Sequence, residues 1–135
     1  MQTILICLFI AVLLPVLTKL PLAIAQGKDG GYDNQNPRGQ QARLTGFGAR
    51  AKASHENSFE ALIMFAPGVV ALVGMAGVTH TALNYAFAWV AARVAYHICY
   101  LINLDKIRSL FWAISYTCSL LILWEAFKVA GMTLE

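Results

Sequence analysis

Apolar residues fall along this chain in long runs separated by short polar stretches. That spacing predicts helices long enough to cross a bilayer. The first run is Ile4 to Ala25, interrupted by Pro15, Lys19 and Pro21. A helical span needs about 20 mostly apolar residues, and this run supplies them. Three more runs follow, Phe59 to Val78, Ala82 to Ile102 and Ile107 to Ala130. The predicted spans are therefore 4–25, 59–78, 82–102 and 107–130, with a polar loop over 26–58. Residues 26–47 carry the Gly, Pro and amide side chains of a loop. From Gly48 to Ser58 the residues Ala49, Arg50, Ala51, Lys52 and Ala53 favour helix, so the second span is expected to open with a polar helical start. Pro67 and Gly68 predict a kink, and Gly131 predicts a helix stop. A cleaved signal peptide competes for the first run, because Ala23-Ile24-Ala25 resembles a small-residue cleavage site. No Lys or Arg precedes the run and it is long for a signal, which favours a retained span.

Composition supports the same picture. Hydrophobic residues make up 59% of the chain and charged residues 13%, against about 25% charged in a soluble domain. So little polar surface excludes a disordered chain and an ordinary soluble enzyme. The expected architecture is all-α, an integral membrane four-helix bundle forming one domain over 1–135. The net charge of +3 does not indicate a nucleic-acid partner, since several of the ten Lys and Arg lie inside or beside apolar runs. Cys7, Cys99 and Cys118 fall in predicted spans without CxxC or zinc spacing, so no metal site is expected.

Loop charge predicts sidedness. The first loop and its helical start hold Lys28, Arg38, Arg43, Arg50 and Lys52, the third holds Lys106 and Arg108, and the second holds neither Lys nor Arg. Cytoplasmic loops carry the excess of positive charge. Loops one and three are thus expected in the cytoplasm and both termini outside.

Charged and polar groups within spans are costly, so each asks for a partner or a function. Arg50, Asn57 and Glu60 share one helical face by their spacing. Arg93, Tyr96, His97 and Tyr100 form a polar stripe at i, i+3, i+4 and i+7. Arg93 lies roughly 14 Å from the cytoplasmic end at 1.5 Å per residue, and Glu60 is its expected ion partner. Arg108 and Ser109 open the fourth span. Glu125 and Lys128 read as a local surface pair. A purely structural reading of the polar stripe, as interhelical ion pairs and packed aromatics, stands beside a functional one.

Three of these elements, Asn57-x-x-Glu60, Ala92-Arg93-Val94 with Tyr100, and Arg108-Ser109, resemble the MAPEG family. These are the membrane-associated proteins of eicosanoid and glutathione metabolism. The likeness runs from about Arg50 to Phe127, with the segment from Ala92 onward especially like the prostaglandin E synthase branch. The resemblance implies a four-helix bundle assembling as a homotrimer, with glutathione near the cytoplasmic face between subunits. It implies that Asn57 and Glu60 hold the tripeptide's backbone and amino group, with Arg50, Arg93, Tyr96 and Tyr100 completing the binding set. Arg108, with Ser109 beside it, would face the thiol. A thiol of pKa about 8.5 is mostly protonated at neutral pH and a neighbouring cation lowers that value, so Arg108 suits a thiolate attacking a lipophilic electrophile from the bilayer. The alternative is a non-catalytic membrane protein using the same polar face for assembly or ligand binding.

Overall fold

The structure is a computed structural model describing residues 1–132. Among the described residues five helices follow one another: α1 (Gln2–Lys28), α2 (Pro37–Arg43), α3 (Gly46–Gly74), α4 (His80–Leu101) and α5 (Asp105–Met132). The described residues contain no strand. Helices α1, α3 and α5 are each long and apolar enough to cross a membrane. The 22-residue α4 carries the polar stripe and buries Arg93, Tyr96 and His97.

The expected loop is corrected within residues 26–47, where helix α1 continues to Lys28 and the short α2 precedes α3. The polar helical start expected from Gly48 is present, α3 beginning at Gly46. Local chemistry explains α2. The Asn36 side chain accepts from Gly39 N, and Pro37 occupies the first helical turn, a pairing of cap and preset φ that starts helices. Three buried glutamines then dock α2 on α1. Gln26 Nε2 donates to Gln40 Oε1 at 3.0 Å, and Gln40 Nε2 donates to Gln26 O at 3.0 Å and Gly31 O at 2.7 Å. Gln41 adds a bond to Gln26 Oε1. Helix α3 passes unbroken through Pro67, and Gly131 lies within α5 rather than ending it.

The core is built from one face of each long helix, with Ile4 and Leu14 from α1, Phe65 and Val69 from α3, Trp89 from α4 and Ile122 from α5. Other faces expose Phe9, Val16, Leu20, Ile63 and Phe127. Apolar side chains pointing outward on such a scale suit hydrocarbon rather than water. Small residues allow close approach between helices. At Gly68 an added Cβ would stand 3.0 Å from Leu123 N and from Ile122 Cγ2, so α3 and α5 could not keep this separation with any larger residue there.

Both ends of the α4–α5 pair are fixed. At one end Leu104 N donates to Cys99 O at 2.9 Å and Asn103 N to Tyr100 O at 3.3 Å. Asn103 takes φ 65°. This is the Schellman turn, in which Asn tolerates the left-handed position. At the other end Glu125 is only 5% exposed. It receives Lys128 Nζ at 2.6 Å and Thr79 Oγ1 at 3.2 Å. The expected local pair thus forms, with Lys128 half exposed, and Glu125 is buried because the turn before α4 folds back over α5. Thr79 also caps α4 by accepting from Ala82 N. Thr79→Val is expected to cost about 1–2 kcal/mol, the usual loss for a helix cap, read as a lower melting temperature in detergent.

Candidate functional site

Arg50 Nε donates to Leu101 O, which puts the start of α3 and the end of α4 at the same end of the bundle. There a groove opens among α3, α4 and α5, formed by two cavities of about 210 and 200 Å³ that share Asn57 and Trp112.

The inner cavity takes Asn57, Glu60 and Met64 from α3, Trp89 and Arg93 from α4, and Ser115 and Ser119 from α5. Arg93 is 1% exposed. Its Nη2 donates to Asn57 Oδ1 at 2.9 Å and to Asn57 O at 3.3 Å. Asn57 Nδ2 in turn donates to Glu60 Oε2. The expected Arg93–Glu60 ion pair is thus replaced by a relay through Asn57. The physical reason is that Asn57 lies one turn before Glu60 on the same helix and meets the guanidinium with both backbone and side-chain oxygens. Glu60 is left exposed at the groove, its charge only indirectly engaged.

The outer cavity is lined by Asn57, Tyr96, Tyr100, Arg108, Ser109 and Trp112. Arg93 Cζ lies 4.2 Å from the centroid of the Tyr96 ring, and Arg108 Cζ lies 4.4 Å from that of Tyr100. The two tyrosines meet edge to face at 5.5 Å. Cation, ring, ring and cation form a ladder that carries positive charge from the buried Arg93 to the half-buried Arg108. The α4–α5 turn makes it possible by returning Arg108 beside Tyr100. Cation–ring contacts of this kind are worth about 0.5–1 kcal/mol at exposed sites and more when desolvated. Ser109 is exposed and donates to Asp105 O at 3.0 Å.

Seven of the eight sequence-predicted site residues therefore line this groove: Asn57, Glu60, Arg93, Tyr96, Tyr100, Arg108 and Ser109. Arg50 does not; it ties α3 to the last carbonyls of α4. The polar stripe of α4 also divides. His97 turns away into the bundle, where Ser54 Oγ meets its Nδ1 at 2.7 Å. A neighbouring buried cluster joins Thr18 to Ser58 and His55 at 3.2 and 3.3 Å, linking α1 to α3. Trp112, Ser115 and Ser119 were not anticipated as site residues. They follow Arg108 at intervals of four, three and four, so one α5 face runs the length of the groove and the spacing alone carries that signal. Among the described residues no cluster of His, Cys, Asp or Glu is arranged to hold a metal.

An all-α membrane protein with a cation-lined groove open at one end of its bundle is the class that fold and site define. The sequence profile of the MAPEG family matches residues 3–128, and the chain belongs to that family. Membership places it among membrane proteins related to glutathione and eicosanoid metabolism. No curated protein and no solved structure matches the chain.

Proposed function

We propose that the protein is a glutathione-dependent membrane transferase or peroxidase that activates the tripeptide's thiolate against a lipophilic electrophile. The observation that supports this most is the groove itself, which offers an exposed carboxylate at Glu60 and cations at Arg93 and Arg108 along one continuous wall. Glutathione carries two carboxylates, an ammonium and a thiol. Glu60 complements the ammonium, and Asn57 supplies amide contacts to the backbone. The guanidinium groups match carboxylate and thiolate, with Arg favoured for planar two-pronged recognition. Tyr96 and Tyr100 stack against those cations and hold them in place. Glu56, a like charge next to Asn57, pairs with Lys52 Nζ at 2.7 Å, which offsets its repulsion of an anionic ligand.

In this reading four helices cross the bilayer, α4 among them, and its polar stripe faces protein rather than lipid. Three copies assemble around their polar faces. The α1–α3 and α4–α5 connections lie in the cytoplasm and the termini outside, following the distribution of Lys and Arg. Arg108 lowers the thiol pKa, the thiolate forms at the outer cavity, and the electrophile arrives through the surrounding hydrocarbon.

Titration calorimetry of detergent-purified protein with glutathione tests the proposal. The expected result is saturable heat together with a rise in melting temperature, as ligand binding to the folded state requires. Absence of both would favour the non-catalytic reading, in which the groove serves assembly or another ligand.

A further inference from the structure

Outside the site described above, a groove of about 520 Å³ runs between α1 and α3. Val12, Pro15, Val16 and Leu20 of α1 and Phe59 and Leu62 of α3 form its walls. On α1 the lining extends from Val12 to Ala23, roughly 16 Å at 1.5 Å per residue. That is the depth of one leaflet, about half of a 30 Å hydrocarbon core. Val12 lies near the middle of α1, and Ala23 toward the end at which Ala25 meets Gly48 of α3. The channel thus follows the helices from mid-membrane to one polar boundary.

Its head carries charge. Lys19 interrupts the apolar run, and its Nζ reaches along α1 to Gln26 Oε1 at 3.3 Å. Long cationic side chains reach in this way from within a span to the polar boundary. Gln41 Nε2 donates to the same oxygen at 3.4 Å, and Arg38 Nη1 donates to Gln41 Oε1 at 3.2 Å. The glutamine cluster that docks α2 therefore brings an exposed arginine near the lysine, close enough for the charge of Arg38 to act on Lys19. Neither cation has a carboxylate among the described ion pairs. Asp29 is taken by Arg43, and Glu56 by Lys52. Two cations without counter-charge, at the head of an apolar channel one leaflet deep, match an anion that carries its own hydrocarbon.

We propose that this groove binds one anionic glycerophospholipid of the surrounding bilayer, with an acyl chain between α1 and α3 and the phosphate on Lys19 and Arg38. Held so, the lipid ties α2 to the membrane-crossing helices. The proposed sidedness puts this end in the cytoplasmic leaflet, where anionic headgroups attract juxtamembrane cations. A zwitterionic lipid offers the same phosphate but adds a choline cation, for which no free carboxylate stands by. The inference does not depend on the glutathione reading.

Native mass spectrometry of the full-length protein tests this, in micelles doped with equal fractions of dioleoyl phosphatidylglycerol or dioleoyl phosphatidylcholine. One phosphatidylglycerol per chain is expected to be retained, with a preference of about tenfold or more, the effect of two cations at the membrane surface. Its melting temperature should rise in the same micelles. Equal retention of the two lipids would overturn the proposal. Lys19→Gln combined with Arg38→Gln should abolish the preference, and its survival in the folded double variant would overturn the headgroup assignment. Val16→Trp, at an exposed position in the channel, should lower retention of phosphatidylglycerol. Inorganic phosphate that raises the melting temperature as far as phosphatidylglycerol does would make this a free-anion site and refute the lipid. No lipid preference, with a smaller oligomer for Val16→Trp, would assign the groove to a second copy of the chain instead. Should a variant fail to fold, the comparison of the two lipids on the unmodified protein decides.

Discussion

Arg108→Ala is expected to reduce glutathione conjugation by about 10²–10³-fold, the usual cost of removing one preorganised stabiliser of a developing anion. Melting temperature should change little. Arg108 is only half-buried, and its one described side-chain partner is the face of Tyr100, so truncation leaves no charge stranded in the core. The comparison separates a chemical role from a structural one. Conjugation kinetics with a model electrophile, run beside thermal unfolding in the same detergent, make the measurement. A loss of rate matched by a loss of stability would count against Arg108 as the group facing the thiolate. Arg108→Lys refines the test: it keeps the charge but loses the planar fork that stacks on the ring, and intermediate activity is expected.

Arg93→Ala is expected to do the reverse, damaging stability first. The guanidinium is fully enclosed, and its two bonds to Asn57 hold α4 against α3. Hydrogen bonds to a charged group contribute about 1.5–3 kcal/mol each. Removing them also frees Asn57 and leaves a void beside Trp89. A fall in melting temperature of several degrees should accompany a loss of glutathione affinity of about tenfold or more, since one such bond already corresponds to that ratio. Wild-type stability in this variant would mean that the relay through Asn57 carries little energy.

How far the sequence foretells this molecule depends on the range of the interaction concerned. The long helices were legible because apolar run length has one meaning in a bilayer. The helical start from Gly48 was legible too, but residues 26–47 were not, because α2 depends on Gln26 meeting Gln40 and Gln41 across a turn, and amide side chains in a Gly-rich stretch look like loop. The groove residues were legible on each helix through period and charge. Their connections were not. Nothing in the spacing of Arg93 and Glu60 reveals that Asn57 intervenes, and helical periodicity puts His97 on the same stripe as Arg93 although the packing of α3 draws it toward Ser54. Glu125 divides in the same way: its pair with Lys128 was visible in sequence, whereas its burial and its bond to Thr79, on the other side of a helical hairpin, were not.

The two fastenings of α4 to α5 bear on how the groove can breathe. A helical pair clasped by the Asn103 turn at one end and by Glu125 with Thr79 at the other cannot scissor apart to admit a guest. Helix α3 is fastened to the same pair by Arg50 and by the Arg93–Asn57 bonds, so the three walls of the groove keep their register without a ligand in place.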